Sequence, residues 1–291
     1  MDRTAHHGQA GAQRPSLYVV ATPIGNLADI TLRALKVLKG VAAVAAEDTR
    51  VTARLLTHYG IDVQLIALHE HNERRAAQKI LRLLARGKSV ALVSDAGTPA
   101  VSDPGALAVA AVRHAGYAVV PLPGANAALC ALSVAGATAR HFLFYGFLPP
   151  QAAARRRELA ALKTLPYMLA FYEAPHRVIA SVADMAAVFG GKRSIMLARE
   201  LTKLFETIHI CRLGEAAAWL AADADRTKGE FVLLVDGAPT ASPGAEAAQR
   251  ALEILLRELP LKQAVKLAAE LAGGKRNELY RMALEMKAGG K

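Results

Sequence analysis

Residues 94–105 read SDAGTPAVSDPG and directly follow the apolar run SVALV at 89–93. A short apolar run bounded by turn formers is typical of a buried strand. Twelve small, polar and proline residues exceed what a plain turn into the next helix requires. Ligands of open α/β sheets bind beside the carboxyl ends of the strands. The two stretches together predict a binding loop at the edge of a buried sheet.

On both sides of this loop, apolar runs alternate with amphipathic stretches. Before Pro121, the pattern predicts strands at 17–21, 42–46, 63–67, 89–93 and 117–120 and helices at 29–39, 51–58, 73–86 and 105–115, the first helix capped by Asp29. Such alternation indicates parallel βαβ units in a sheet covered on both faces. After Pro121, strand-like runs lie close enough in sequence for antiparallel pairing. We therefore expect a two-lobed α/β fold, with a parallel-rich N-terminal sheet, a mixed C-terminal sheet and a small C-terminal helical module.

Changes in composition divide the chain further. Residues 1–15 are polar and predict a disordered tail. The spacing of the apolar runs changes at Pro121. This change separates an N-terminal α/β lobe at 16–120 from a C-terminal α/β lobe at 121–239. After a linker-like stretch, three segments of helical period predict a helical module at 245–291.

Charge and cysteine content limit the class of protein. The 291 residues carry a formal net charge of +11 and two cysteines, Cys130 and Cys211. Two isolated cysteines argue against a disulfide framework and fit a reducing compartment. The N-terminus lacks the apolar region of a secretory signal, and no apolar run reaches the ~18–20 residues of a membrane span. We expect a cytoplasmic protein without a membrane partner, and the basic charge favours a polyanion, although many soluble proteins are simply basic.

Small or polar residues also follow other predicted strands. TPIGNL at 22–27 and LPGANA at 122–127 are Pro-Gly turns, whereas YEAPHR at 172–177 and RELTKLFE at 199–206 carry charges. Each segment alone is also consistent with an ordinary turn or a surface ion pair. HEHNE at 69–73 lacks the HExxH spacing of a zinc site, so we expect no metal.

Taken together, these segments resemble a known family. TPIGNLADIT, AEDTR, HEHNE, SDAGTPAVSDPG, PLPGANA, FYEAPHR, RELTKLFE and KGEFVLLV are similar, in order and spacing, to the tetrapyrrole (corrin/porphyrin) methylase superfamily over about residues 16–238. SDAGTPAVSDPG, FYEAPHR and RELTKLFE side by side resemble a subfamily that acts on ribosomal RNA, and the terminal helices resemble its C-terminal module. Tetrapyrrole-making members carry Gly-Pro-Gly and Gly-Asp-Pro where this chain has Thr-Pro-Ile-Gly and Gly-Thr-Pro, which argues against a tetrapyrrole substrate.

The resemblance implies a methyl donor, an acceptor and a set of contacts. The donor is S-adenosyl-L-methionine in a cleft between the lobes, and the acceptor is the ribose 2′-hydroxyl of a cytidine in the decoding region of 16S rRNA. Members are usually dimers, so we expect a homodimer that binds 16S rRNA or the small ribosomal subunit. The implied donor contacts are Pro23, Gly97, Thr98, Pro99, Val101, Ser102, Asn126, Ala127, Tyr172, Leu201, Thr202, Gly229 and Glu230.

The chemistry adds two further sets of candidates. A ribose hydroxyl is a poor nucleophile and benefits from partial proton removal. The candidate bases, among which the sequence does not choose, are Glu47, Asp48, Asp95 and Glu206. Cations suited to phosphate or ribose contacts are Arg50, Arg155, Arg156, Arg157, Arg199 and Lys203.

Two other functions remain open. The chain is alternatively a methylase of a tetrapyrrole or another small molecule, which would act without RNA. A non-enzymatic alternative is a donor-binding factor for rRNA or ribosome assembly, which would bind RNA without methyl turnover. The destination of a labelled methyl group distinguishes all three.

Overall fold

The structure, a computed structural model, describes residues 14–136, 141–239, 245–272 and 276–288. Most of the predicted tail at 1–15 lies outside these residues. The chain divides into two compact units. The first runs to residue 236, and the second consists of residues 237–291 with the short segment 164–166. The predicted bounds of the lobes and the module stay predictions.

Ten strands form two sheets within the described part of the first unit. The first sheet contains β1 Ser16–Val20, β2 Ala43–Ala46, β3 Gln64–Ala67, β4 Val90–Val93 and β5 Ala118–Leu122. The second contains β6 Phe142–Phe147, β7 Met168–Glu173, β8 Ser194–Arg199, β9 Thr207–Arg212 and β10 Phe231–Val235. The helices of this unit are α1 Leu32–Gly40, α2 Thr49–His58, α3 Glu73–Ala85, α4 Ala106–His114, α5 Ala127–Val134, α6 Ala152–Leu162, α7 Val178–Phe189 and α8 Leu213–Ala221.

The first sheet is parallel throughout, in the order β3-β2-β4-β1-β5. Its strands β2 and β4 are buried along their whole length, as expected for a sheet covered on both faces. Successive side chains point to opposite faces, so Leu92 packs with α3 and α4 while Val93 packs with α1 and α2. Pro121 is tolerated because β5 is an edge strand.

The second sheet is mixed, in the order β6-β7-β10-β8-β9. Strand β6 pairs with β7 in parallel, whereas the other pairs are antiparallel. A parallel first sheet, a mixed second sheet and terminal helices confirm the predicted fold class.

Two helix starts differ from the prediction. The Thr31 hydroxyl accepts the Ala34 amide at 3.1 Å and caps α1, whereas Asp29 ends a short 3-10 turn, so the prediction that Asp29 caps this helix was wrong. Helix α2 begins earlier than expected because the Asp48 carboxylate accepts the Arg50 amide at 2.8 Å. Both caps satisfy amides that a helix start leaves without a partner.

The described part of the second unit contains three helices, α9 Ala245–Glu258, α10 Leu261–Ala272 and α11 Arg276–Ala288. They pack around a small core that includes Leu252, Val265 and Leu279. No helix in the described ranges has the length and apolarity that crossing a membrane requires.

Candidate active site

The loop at 94–105 is tied to two other strand-end loops of the first sheet. Thr22 and Gly97 form an antiparallel bridge, with both amide-to-carbonyl distances at 2.9–3.0 Å. The Thr22 hydroxyl donates to the Ser94 carbonyl at 3.0 Å, and the Thr98 hydroxyl donates to the Ala125 carbonyl at 3.1 Å. The loops after β1, β4 and β5 therefore meet at one edge, as the parallel strand order requires.

The backbone of this loop is held in an unusual conformation. Ala100 and Ser102 both have φ of 64°, in the left-handed region that costs a non-glycine residue about 1–3 kcal/mol. Ser102 lies so close to Gly146 of β6 that a Cβ atom there would be 2.8 Å from its hydroxyl oxygen. At the far end, one carboxylate oxygen of Glu73 accepts the amides of Gly105, Leu107 and Ala108 and caps α4. Packing and capping thus fix the shape of the loop.

A loop of the second sheet reaches the same place. Glu200 and Thr202 also have positive φ, at 52° and 66°. The Thr202 hydroxyl accepts the Asn26 amide at 3.1 Å. A Cβ atom on Gly25 would lie 2.8 Å from that hydroxyl oxygen, so only glycine permits this close approach. Strand-end loops of both sheets therefore converge.

These loops enclose a cleft of about 370 Å³, within the usual range of ligand sites. The predicted donor contacts that line it are Gly97, Thr98, Val101, Ser102, Asn126, Ala127, Tyr172, Leu201 and Glu230. Pro23 lines a neighbouring cavity instead. Pro99, Thr202 and Gly229 line neither of these two cavities in the described part of the chain. The loops after β4 and β5 therefore face one shared hollow.

Among the described residues, four carboxylates line this cleft: Asp95, Asp103, Glu173 and Glu230. The sequence indicated Asp95 as a candidate base and Glu230 as a donor contact. The sequence did not indicate Asp103 as a base; its pKa is raised to about 6 by burial and, to a smaller extent, by Asp95, against a hydrogen bond from Ser94. Burial, followed by repulsion from Asp103, Asp95 and Asp48, also raises the pKa of Glu47. The sequence signal for Asp103 was its place in the same loop as Asp95.

Two of the candidate bases are less suited to accept a proton. Asp48 caps α2 and binds the Arg50 guanidinium at 2.6 Å, and hydrogen bonds from Arg50 lower the pKa of Asp48 to about 2. Glu206 accepts the Thr202 amide at 2.6 Å and lines neither cavity of the described residues. Asp48 and Glu206 hold local structure. The remaining candidates are Asp95 and Asp103 in the cleft, together with Glu47, which lines neither cavity but lies close enough to both carboxylates to be repelled by them.

The arginine run at 155–157 needs a correction. Arg155 was expected to contact RNA phosphates, but its side chain is only 5% exposed and binds the equally buried Asp184 at 2.6 Å. It cannot reach a phosphate in this fold. Arg156 also binds Asp184 yet stays 60% exposed, and Arg157 is 76% exposed. Only these two remain available to a polyanion.

Other predicted cations serve the loops of the site. Arg199 donates to the carbonyls of Lys228 and Phe205 and so stabilises this loop, while its expected contact with RNA stays a prediction. The Lys203 ammonium lies between Glu200 and Glu230, at 2.8 and 2.9 Å, and its side chain lines the cleft. Arg50 is 84% exposed.

Two sheets whose strand-end loops surround one cleft are the architecture of a known protein family. The sequence matches the same family. The model of the Tetrapyrrole (Corrin/Porphyrin) Methylases matches residues 16–217, and the model of the RsmI C-terminal HTH domain matches residues 242–287. The chain belongs to the tetrapyrrole methylase family, whose members are S-adenosylmethionine-dependent methyltransferases.

Its relatives within this family have a more specific name. The Ribosomal RNA small subunit methyltransferase I of Escherichia coli O157:H7 is 50% identical over 282 residues, which cover 97% of this chain and 99% of that protein. The protein of the same name from Pseudomonas aeruginosa is 53% identical over 274 residues, 93% of this chain and 97% of the relative.

Solved structures share the fold at low sequence identity. The methyltransferase CobJ matches with a TM-score of 0.59 and 21% identity over 79% of this chain and 98% of its own. A uroporphyrin-III C-methyltransferase from Thermus thermophilus, complexed with S-adenosylhomocysteine, matches with a TM-score of 0.53 and 19% identity over 75% of this chain and 96% of its own.

Proposed function

We propose that this chain transfers a methyl group from S-adenosylmethionine, held in the cleft, to the 2′-hydroxyl of a cytidine in the decoding region of 16S rRNA. The observation that carries the proposal is its identity of about 50%, over nearly the full length of both chains, with relatives named for the small-subunit rRNA. The two solved tetrapyrrole methylases cover 79% and 75% of this chain, and so leave between a fifth and a quarter of it unmatched. The choice of a cytidine 2′-hydroxyl rests on the resemblance of the loop motifs.

The residues of the cleft fit this donor. When bound, S-adenosylmethionine supplies an electrophilic methyl group on a positively charged sulfonium. The carboxylates of Asp95 and Asp103 provide negative charge beside such a cation. Ile24, Val101 and Leu201 provide apolar surface that excludes water. The rigid loops position the donor, and positioning alone supplies much of the rate of an in-line displacement.

The acceptor hydroxyl needs a group that takes its proton. A base whose pKa lies near neutrality is more effective than one that is strongly acidic. Asp103 and Glu47 have raised pKa values, whereas that of Asp48 is lowered. We propose that the cluster of Asp95, Asp103 and Glu47 receives the proton.

A labelled-donor assay tests the proposed function. The protein is incubated with methyl-labelled S-adenosylmethionine and small ribosomal subunits, naked 16S rRNA or uroporphyrinogen. We expect label in rRNA, in a dinucleotide that resists alkaline cleavage because the 2′-oxygen is blocked. Label on uroporphyrinogen alone would favour the small-molecule alternative, and RNA binding without label would favour the assembly factor.

The burial of Asp103 makes a separate prediction. A carboxyl group with a raised pKa destabilises the fold where it is ionised, above about pH 6. This penalty disappears as the pH falls through 6 towards the unfolded value of 3.8. At pH 7.5, Asp103→Asn should therefore raise the melting temperature of the ligand-free protein by about 2–4 °C.

The same substitution should lower methyl transfer by at least ~10-fold, since general-base catalysis contributes about 10²–10⁴-fold. Asp62→Asn, at an exposed carboxylate before β3, is the control and should change neither property. An equal melting temperature for wild type and Asp103→Asn at pH 7.5 would show that the charge of Asp103 does not destabilise the fold.

We also propose that the chain acts as a cytoplasmic homodimer. The support is the resemblance to dimeric family members and the basic charge of +11, which suits a ribosomal partner. Light scattering of the purified protein measures its mass in solution, and a monomer at micromolar concentration would contradict the dimer.

A further inference from the structure

A second cavity of about 350 Å³ lies beside the cleft. Its walls come from the loop after β1, from the loop after β4 and from α2. It shares with the cleft the residues Ile24, Asp95, Ala96, Lys203 and Glu230. The two spaces are therefore neighbours with a common wall.

A backbone bridge lies where the two cavities adjoin. Thr22 lines the second cavity and Gly97 lines the cleft, and the two residues are joined by a pair of backbone hydrogen bonds. Asp95 faces both spaces. Its carboxylate is held in place by the Asp48 amide, at 2.9 Å.

Two adjoining spaces suit an in-line methyl transfer. The attacking oxygen must approach the methyl group from the side opposite the leaving sulfur, because the three atoms align in the displacement. An acceptor therefore enters from a space next to the donor rather than from the space the donor fills. The wall that carries Asp95 is where the two reactants would meet.

The lining of the second cavity combines apolar and cationic groups. Leu27, Val51 and Leu55 contribute apolar surface, of which Leu27 and Val51 are 40% and 39% exposed. Arg54 lines the cavity from α2, is exposed, and makes no ion pair or hydrogen bond with any residue in the described ranges. Arg50 lies one helical turn away on the same face. This arrangement fits a nucleotide whose ribose and base contact the apolar side chains and whose phosphate contacts Arg54.

We propose that the second cavity is the binding site for the acceptor nucleotide of an RNA strand, with Arg54 contacting its phosphate and Asp95 next to its ribose hydroxyl. This inference rests on the proposed function and extends it from the donor to the acceptor.

Filling the cavity tests the site while leaving the donor cleft unaltered. Val51→Trp places an indole in the second cavity, whereas Thr57→Trp places the same group on an exposed part of α2 that lines neither cavity. With small ribosomal subunits as substrate, we expect Val51→Trp to lower kcat/KM at least ~10-fold and Thr57→Trp to leave it unchanged. Calorimetry should show S-adenosylmethionine affinity within about twofold of wild type in both, since neither residue lines the cleft.

A charge reversal tests the phosphate contact. Arg54→Glu is expected to raise the KM for small subunits about 10-fold and to reduce the salt slope of RNA binding by about one. Lys88→Glu is the matched control, because it makes the same charge change at the exposed turn before β4, at the opposite edge of the first sheet. The control should keep the wild-type KM.

The outcomes separate this inference from the proposed function. Wild-type labelling of rRNA, combined with unchanged kinetics in Val51→Trp and Arg54→Glu, would overturn the second cavity as the acceptor site and leave the proposed function standing. Failure of wild type to label rRNA in any form would overturn the proposed function first. Arg54 is exposed, so Arg54→Glu remains informative even if Val51→Trp fails to fold.

Discussion

Gly97→Val is expected to weaken S-adenosylmethionine binding at least ~100-fold, equivalent to about 2.7 kcal/mol. Gly97 has φ of 78°, a backbone conformation that a β-branched residue rarely adopts. A Cβ atom there would lie 3.3 Å from the Ile24 side chain, inside the cleft that both residues line. The substitution both strains the loop and fills space that the donor needs.

The control for this variant has the same backbone conformation in an open position. Gly116 also has φ of 78°, and a Cβ atom there would meet no atom within 4 Å. Gly116→Val should therefore share the backbone strain and keep the wild-type donor affinity. Isothermal titration of both variants measures the difference, and thermal melting confirms that they fold. Unchanged donor affinity in folded Gly97→Val would show that the donor binds elsewhere.

Arg155→Ala is expected to destabilise the protein by about 3 kcal/mol, at the lower end of the range for breaking a buried ion pair. Arg155 and Asp184 are both about 95% buried, so the substitution leaves a carboxylate inside the protein with a single partner, Arg156. In a unit of this size, the loss corresponds to a fall in melting temperature of about 6–12 °C. Arg157→Ala, at an exposed position, should stay within ~0.5 kcal/mol of wild type.

The same ion pair has a pH signature. Burial on its own would raise the pKa of Asp184, but hydrogen bonds from Arg156 and Arg155 outweigh it and hold the pKa below 3.8. The stabilisation by Asp184 is therefore fully present above about pH 4 and is lost as the pH falls through its folded pKa. Urea unfolding from pH 7 to 3 measures it. A difference between wild type and Arg155→Ala that stays constant over this range would contradict an ionic contribution.

Measurements of RNA binding complete the comparison. Both variants are compared at low salt and at a temperature where both are folded. If Arg155 acts only inside the fold, Arg157→Ala should weaken rRNA binding more than Arg155→Ala does. The reverse order would restore Arg155 as an RNA contact.

Much of the site was accessible from local sequence. Apolar runs of four to six residues, separated by helical periods, place the loops at 94–105 and 122–127 after parallel strands. Because the carboxyl ends of parallel strands lie at one edge of a sheet, these loops had to meet. The resemblance to the methylase family then implied that Gly97, Ser102 and Asn126 in these loops contact the donor.

Long-range partners were not accessible in this way. The run of three arginines predicts phosphate contacts, yet Arg155 is buried because Asp184, 29 residues away, needs a cation. A signal did exist, since Asp184 is the one carboxylate in the apolar stretch VIASVADMAAVF of α7. Glu73 is a similar case, because its role as the cap of α4 depends on a helix more than 30 residues further on.

The sequence by itself determined the order of strands and helices, the small-residue loops at the strand ends and the family to which the chain belongs. These features depend on periodicity and backbone preference, which act over a few neighbouring residues. Only the tertiary structure decided which charges are buried, that Asp103 joins Asp95 in the cleft, and that a second cavity shares its wall. Burial and electrostatic environment arise when segments far apart in the chain pack together, and no local pattern records them.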